Sequence, residues 1–269
     1  MKLGLETPKN EYESHAAYYR PLSVRLFAPL LGILSMIAIW GFLSLFVPSY
    51  LLPNPLVVAR TFVDLFKEGN LLQDVTYTMI TAIGGIMIAA ISAIFLAGLF
   101  VLSKRVESVT YPLVVALRSV PAVAAAPILV IWTGTGLMMK LFVAAFVSFF
   151  PILVYLLHGL RAPREEYLDQ FSLWAASKTQ VLWHLRIPWA IPSFFASLRV
   201  AVTYALIGSF VAEMMGSQVG LGRMVMSAYY HFDTPTVLVG IICFAFLGVC
   251  LFGIAVGAEK FVLKRIPLT

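Results

Sequence analysis

Few residues in this sequence are of a type and placement that could do chemistry. Glu213 is an acid near the end of a long apolar run, and Arg118 and Arg199 are cations inside two others. A charge in such a run is a functional-site hypothesis by default, because placing it in hydrocarbon is costly. For Glu213 two roles stay open: lining or gating a pathway, or packing against a neighbouring span. Arg199 lies 14 residues earlier in the same run. That is about 21 Å along a helix rising 1.5 Å per residue, so the two cannot pair directly. Arg118 and Arg199 sit close enough to a run end to snorkel as anchors, or they could face an anion. Pro121, Pro127 and Pro151 interrupt apolar runs, as simple kinks or as places where freed backbone groups border a pathway. His15, His158, His184 and His231 are scattered without metal-ligand spacing, so no metal and no cofactor is expected. Cys243 and Cys250 lie two turns apart on one helix and cannot bond to each other. The Gly-x4-Gly-Lys-Ser/Thr phosphate loop is absent, and the dipeptide Gly-Lys never occurs. The chain therefore reads as no enzyme, and energy from ATP must come from a partner.

The elements that carry these residues follow from composition. Hydrophobic residues make up 61% of 269 and charged residues 12%, with mean hydropathy +0.92; a soluble domain would carry roughly 25% charged residues. Apolar runs near the roughly 20 residues needed to span a bilayer fall at about 26–47, 77–102, 112–133, 139–159, 194–215 and 236–258. They lack the alternation of barrel strands, which predicts an all-α membrane protein, a bundle of about six transmembrane helices. The net charge of +6 could suggest nucleic acid, but its distribution points to lipid and topology. With the N-terminus inside, thirteen cations face inside: Lys2, Lys9, Arg20, Arg25, Lys104, Arg105, Arg161, Arg164, Lys178, Arg186, Lys260, Lys264 and Arg265. Only Arg60, Lys67, Lys140 and Arg223 face outside. This positive-inside bias predicts cytoplasmic termini and no nucleic-acid partner. The first run follows about 25 polar residues without a small-residue cleavage pattern, so it is not a removed signal peptide.

The chain then divides into a cytoplasmic lead (1–25), a first transmembrane helix (26–47), an external amphipathic segment (48–75), a five-span core (76–260) and a cytoplasmic tail (261–269). Leu52-Pro53-Asn54-Pro55 is a turn signal. After it, Val57, Val58, Thr61, Phe62, Leu65 and Phe66 recur at helical spacing opposite Arg60, Asp64, Lys67 and Glu68. The loop 161–192 is patterned like a folded element. Leu168, Phe171, Trp174 and Ala175 fall at helical spacing, and Ser177 with Gln180 fits a capping box. Val181, Leu182 and Leu185 give the second helix an apolar face, and Pro188 is expected to end it. The result is helix, tight turn, helix, outside the membrane, exposing Asp169, Lys178, His184 and Arg186. An ordinary solvated connector is the alternative.

At this loop the chain resembles the membrane-spanning permease subunits of bacterial ABC importers. Their signature is E-A-A, a Gly three residues on, nine residues, then I-x-L-P. Leu185, one residue, and Ile187-Pro188 match the ending. Counting back ten from Leu185 puts the glycine position at Ala175 and the E-A-A positions at Asp169-Gln170-Phe171. A left-handed turn at Ala175 costs roughly 1–2 kcal/mol, so either Ala175 bears that strain or the turn is built differently. Further stretches resemble the branch that imports nitrate, sulfonates, taurine and bicarbonate: Leu117 to Pro121 through Pro127, Trp132 to Gly136, Phe149-Phe150-Pro151, Ala196 to Ala201, Val211 to Met214, and Gly220-Leu221-Gly222. Ala122 and Ala125 replace the usual second proline and tryptophan, leaving a smoother third span. The resemblance implies a homodimeric pathway in a bacterial inner membrane. It implies two cytoplasmic ATP-binding subunits docked on a coupling loop that includes Glu166, Asp169, Ala175, Ser177, Leu185, Ile187 and Pro188. It also implies an extracytoplasmic solute-binding protein delivering a small anionic solute. Arg118, Pro121, Pro127, Arg199 and Glu213 are the pathway candidates. A self-contained secondary transporter or channel is the rival, disfavoured by the scarcity of acidic residues central in any span. Gly253 and Gly257 form a G-x-x-x-G pair, expected to serve close helix packing more than dimerisation.

Overall fold

The computed structural model describes residues 22–264, so the expectations for the lead before Leu22 and for the tail beyond Lys264 fall outside it. Its contacts divide the chain into two compact units, residues 1–58 and 59–269.

In the first unit, the first apolar run forms α1 (Leu22–Leu43). Its Leu31, Met36 and Ile39 side chains are exposed, as a lipid-facing helix requires. The Trp40 indole donates to the Pro53 carbonyl at 3.1 Å, fixing the turn that follows. Asn54 accepts the Leu56 N–H at 2.9 Å and Pro55 is the first residue of α2 (Pro55–Lys67). An Asx cap followed by a proline without an N–H to orphan is a favourable helix start. α2 continues into the second unit, where the exposed Phe62 and Phe66 stack with ring centroids 6.4 Å apart.

In the second unit, α3 (Asn70–Leu102), α6 (Leu137–Leu160), α9 (Ile187–Met214) and α11 (Thr234–Leu263) form the bundle, and α6 packs against both α3 and α9. Lipid supplies no hydrophobic drive between helices, so close approach must come from small residues. Gly85, Ala89, Ala93 and Ala97 recur every fourth residue and are buried on α3. A Cβ on Gly85 would lie 2.5 Å from the Ala144 Cβ, and one on Gly208 only 2.7 Å from the Ala144 Cα. The three backbones α3, α6 and α9 thus meet at Ala144 with no room for a methyl. The expected Gly253–Gly257 packing does not occur: a Cβ at either meets nothing within 4 Å.

Among the described residues, four helical stretches are long and apolar enough to cross a membrane: Asn70–Leu102, Leu137–Leu160, Lys178–Met214 and Thr234–Leu263. The third expected span is not one helix. It is α4 (Lys104–Arg118) and α5 (Ala122–Thr133), bent by 103°. Pro121 causes the break, since it disfavours helical backbone at Val120 and offers no N–H; it sits extended, with φ −61° and ψ 133°. The segment to residue 75 also ends earlier than expected, because α3 already begins at Asn70. Between α6 and α9 lie α7 (Glu165–Leu173) and α8 (Lys178–Val181). After α9, α10 (Leu221–Tyr230) leads through an Asp233 cap, which accepts the Thr236 N–H at 3.3 Å, into α11.

Candidate functional site

The loop between α6 and α9 is rigid for reasons legible in its hydrogen bonds. At the end of α7, the Ala176 N–H donates to the Phe171 carbonyl at 3.0 Å and the Ala175 N–H to the Ser172 carbonyl at 2.9 Å. This pair of bonds is a Schellman motif, whose central residue is left-handed. Ala175 has φ +50°, so an alanine bears the strain that glycine would avoid. Three residues on, Gln180 N–H donates to the Ser177 hydroxyl oxygen at 3.3 Å, and the Ser177 N–H donates to the Gln180 side chain at 2.8 Å. The capping box expected at Ser177 is therefore built. The ring of Tyr167 on α7 packs 5.5 Å from that of Trp189 on α9. Arg186 donates to the Leu160 carbonyl at 2.8 Å, tying the loop to the end of α6; it is half-buried there, not exposed as expected. Asp169, Lys178 and His184 are exposed, and Leu182 and Leu185 are buried. Leu173 and Trp174, at the turn, are 83% and 73% exposed.

Pro188 does not end the second helix. A π-helical turn, Leu182–Arg186, joins α8 to α9, with the Ile187 N–H donating to the Leu182 carbonyl five residues back. Widening the ladder just before a proline absorbs its missing N–H and ring clash. The helix therefore runs unbroken for 37 residues from Lys178 to Met214, about 55 Å at 1.5 Å per residue. The loop proper is thus shorter than 161–192.

At the far end of this rod, Glu213 is 1% exposed. Its carboxylate accepts from the Thr78 hydroxyl at 2.9 Å, the Thr81 hydroxyl at 3.3 Å and the Gly222 N–H at 2.8 Å. Asp74 accepts the Gly220 N–H at 2.6 Å and pairs with Arg223 at 3.3 Å, while Thr78 accepts the Leu221 N–H at 3.0 Å. Helix α10 has a glycine at its N-cap with no side chain to satisfy its first amides; α3 and α9 satisfy them instead. Gly220 is required twice: its φ is +122°, and a Cβ would fall 2.5 Å from the Glu213 carboxyl carbon. Beside this network Lys140, also buried, donates to the Tyr77 hydroxyl at 3.0 Å. Within this chain Glu213 is thus enclosed by α3 and the start of α10. Arg199 is likewise tied down, 3.4 Å from Glu259 of α11.

The remaining candidates converge at the α4–α5 bend. Arg118, the last residue of α4, borders a cavity of about 490 Å³ together with Ala122, Phe146, Pro151, Tyr155 and Tyr204. Pro151 inside α6 leaves the carbonyl of Val147, another wall residue, without its helical donor. Pro121 makes the bend, and Pro127 lies exposed on α5. The cavity combines one guanidinium, two phenols and aromatic rings, a set suited to orienting one small polar solute.

Residues 85–263 match the family model described as the binding-protein-dependent transport system inner membrane component. The chain belongs to this family. It is similar, at 32% identity over 84% of its length and 91% of the relative's, to the formylaminopyrimidine transport permease protein of Halalkalibacterium halodurans. It is 31% identical to the putative aliphatic sulfonates transport permease protein of Bacillus subtilis, over 79% of this chain and 78% of that one. The riboflavin transport system permease protein of Chloroflexus aurantiacus shares 29% identity over 81% of each chain. The permease is thus a multi-pass membrane subunit of an ABC transporter. It has no catalytic ATPase site of its own, and the family works with ATP-binding and solute-binding partners.

Several residues that shape these sites escape the sequence pattern. Asp74 and Lys140 read as external loop charges, yet both are buried. Tyr155 and Tyr204 carry no pattern that separates them from other aromatic residues in apolar runs. The one available signal was Gly220-Leu221-Gly222, whose glycines mark a close backbone approach.

Proposed function

We propose that this permease passes a small anionic solute through the cavity at Arg118, and that the ATP-binding subunits drive it through the loop between α6 and α9. One observation carries the coupling reading: a turn held by a Schellman motif and a capping box continues without a break into a 37-residue helix. A floppy loop would absorb a partner's displacement, whereas this one would hand it along α9 to the Glu213 junction. Leu173 and Trp174 are large apolar groups exposed at the turn, the kind of aromatic anchor that dominates protein interfaces. On this reading Glu166, Asp169, Ala175, Ser177, Leu185, Ile187 and Pro188 form or support the docking element. Arg118, Pro121 and Pro127 shape the pathway.

The excess of inside cations supports cytoplasmic termini in a bacterial inner membrane, with the five-span core beginning at Asn70. A second copy of the chain completes the pathway. The binding protein delivers the solute at the face opposite the loop. The relatives divide over solute, and Arg118 favours the sulfonate-like side. A neutral heterocycle, as for the formylaminopyrimidine and riboflavin relatives, is the second reading. Tyr155, Tyr204 and the unpaired Val147 carbonyl favour it, because they can stack on a ring and accept from its N–H.

The test is uptake into proteoliposomes holding the permease with its ATP-binding subunit and binding protein, using sulfonates, nitrate and formylaminopyrimidine as solutes. Trp174→Ala is expected to lower co-purification of the ATP-binding subunit and to lower uptake with it. Uptake by the permease alone, without ATP, would instead make it a secondary transporter.

A further inference from the structure

Two cavities at the loop end of the bundle share the wall residue Leu102, and the pathway reading uses neither. The first, about 610 Å³, lies where α3 gives way to α4 and faces α8; Lys104, Arg105, Lys178 and Arg186 surround it. Among the described residues that line it there is no carboxylate. The nearby Glu107 is already engaged by Arg161. Arg186 spends one nitrogen on the Leu160 carbonyl, and Lys104, Arg105 and Lys178 are exposed. Four cations sharing one concavity without a counter-charge repel one another unless an anion sits among them.

The second cavity, about 500 Å³, begins at the same residue, Leu102, and runs along α3 past Gly98 to Ile94. Leu156, Leu182 and Phe194 close its other sides. Its wall is almost entirely apolar. From Leu102 to Ile94 is eight residues of helix, so the groove descends about 12 Å from the helix end. A basic cup at the ends of membrane helices, meeting an apolar groove of that depth at Leu102, matches one molecule. We propose that an anionic phospholipid binds here, its phosphate among Lys104, Arg105, Lys178 and Arg186 and one acyl chain along the α3 groove. Basic pockets of this kind at the cytoplasmic face are where anionic headgroups bind. The proposal rests on the membrane orientation argued above. Its consequence is that the lipid props the coupling loop from below, touching Ala176 and Lys178 beside the strained turn.

The experiment is native mass spectrometry of the permease purified with its ATP-binding subunit, offered phosphatidylglycerol and phosphatidylcholine with identical chains. The parent is expected to retain phosphatidylglycerol selectively. The double variant Lys104→Gln, Arg105→Gln removes two surface cations and is expected to weaken phosphatidylglycerol binding roughly 30-fold, at about fivefold per charge. Gly98→Phe, where an added Cβ meets nothing within 4 Å, fills the groove and should weaken binding of the same lipid while circular dichroism stays unchanged. Inorganic phosphate should not displace it. Equal retention of the two lipids, parental binding in either variant, or displacement by inorganic phosphate overturns the proposal. If the double variant keeps the lipid but loses the ATP-binding subunit on co-purification, the cup is a docking surface for an acidic protein segment and the lipid assignment falls. None of these outcomes touches uptake through the Arg118 cavity, so the importer reading is tested separately.

Discussion

The left-handed alanine at the turn offers a perturbation whose size can be worked out beforehand. An L-residue with a Cβ held at φ near +50°, as Ala175 is, costs roughly 1–2 kcal/mol relative to glycine. Glycine brings its own penalty, because it loses more freedom on ordering, about 0.4–1 kcal/mol by comparison with alanine. The difference favours Ala175→Gly by roughly 0.5–1 kcal/mol, which is a two- to fivefold shift in the equilibrium for opening the turn. The amides that report it are those of residues 175 and 176, which close onto Ser172 and Phe171. Hydrogen–deuterium exchange over a peptide spanning the turn should therefore slow two- to fivefold in Ala175→Gly, with exchange in α6 unchanged. Uptake per ATP should stay close to parental, since the turn keeps its angle. Ala175→Arg keeps the left-handed demand and adds bulk at the docking surface, so it should insert normally but lose docking or leave hydrolysis unlinked to uptake. Unchanged or faster exchange in Ala175→Gly would refute the strain assignment. Parental docking, hydrolysis and uptake in Ala175→Arg would reduce the loop to a connector.

Glu213→Ala strands the Gly222 N–H and the Thr78 hydroxyl, while Thr81 keeps its bond to the Thr78 carbonyl; at roughly 0.6 kcal/mol per bond within a membrane, about 1 kcal/mol should be lost, read as a lower thermal midpoint of the detergent-solubilised chain with ATPase docking retained. Gly220→Ala should lower that midpoint further, because its Cβ would overlap the Glu213 carboxyl in a backbone conformation alanine avoids. Arg199→Ala should cost no more than about 1 kcal/mol, because its pair with Glu259 is partly exposed, and it should leave uptake near parental. Arg118→Gln should instead lower uptake of an anionic solute several-fold with no change in thermal midpoint, and parental uptake would remove Arg118 from the pathway.

The helical bundle was legible because a bilayer forces every buried backbone group into a helix and leaves long apolar runs as the trace. The loop was legible for a different reason: caps are local, and Ser177 and Gln180 satisfy each other within four residues. What stayed hidden depends on distant partners. The Pro121 bend could be read as a kink within one span, since nothing in the apolar run 112–133 tells a kink from a turn of 103°. Pro188 read as a stop because a π-helical turn leaves no composition signature. Asp74 and Lys140 read as solvated, because the groups that accept their burial, the Gly220 amide and Tyr77, lie 146 and 63 residues away in sequence.

The cations show how the structure decides among residues that look alike in sequence. Arg199, Arg223 and Lys140 each sit in or beside apolar helices, and each has a resident partner: Glu259, Asp74 and Tyr77 respectively. Their charge is spent inside the fold, and removing it would subtract packing and ion pairing. Arg118 makes no ion pair among the described residues and borders a cavity large enough for a small molecule. A guanidinium left beside apolar helices without a counter-charge is compensated by water or by something that arrives. On the proposed reading, Arg118 is therefore the cation of this set that meets the solute. Of the paired ones, Arg199 holds the 37-residue helix against α11, and the Glu213 junction holds the same helix against α3 and α10.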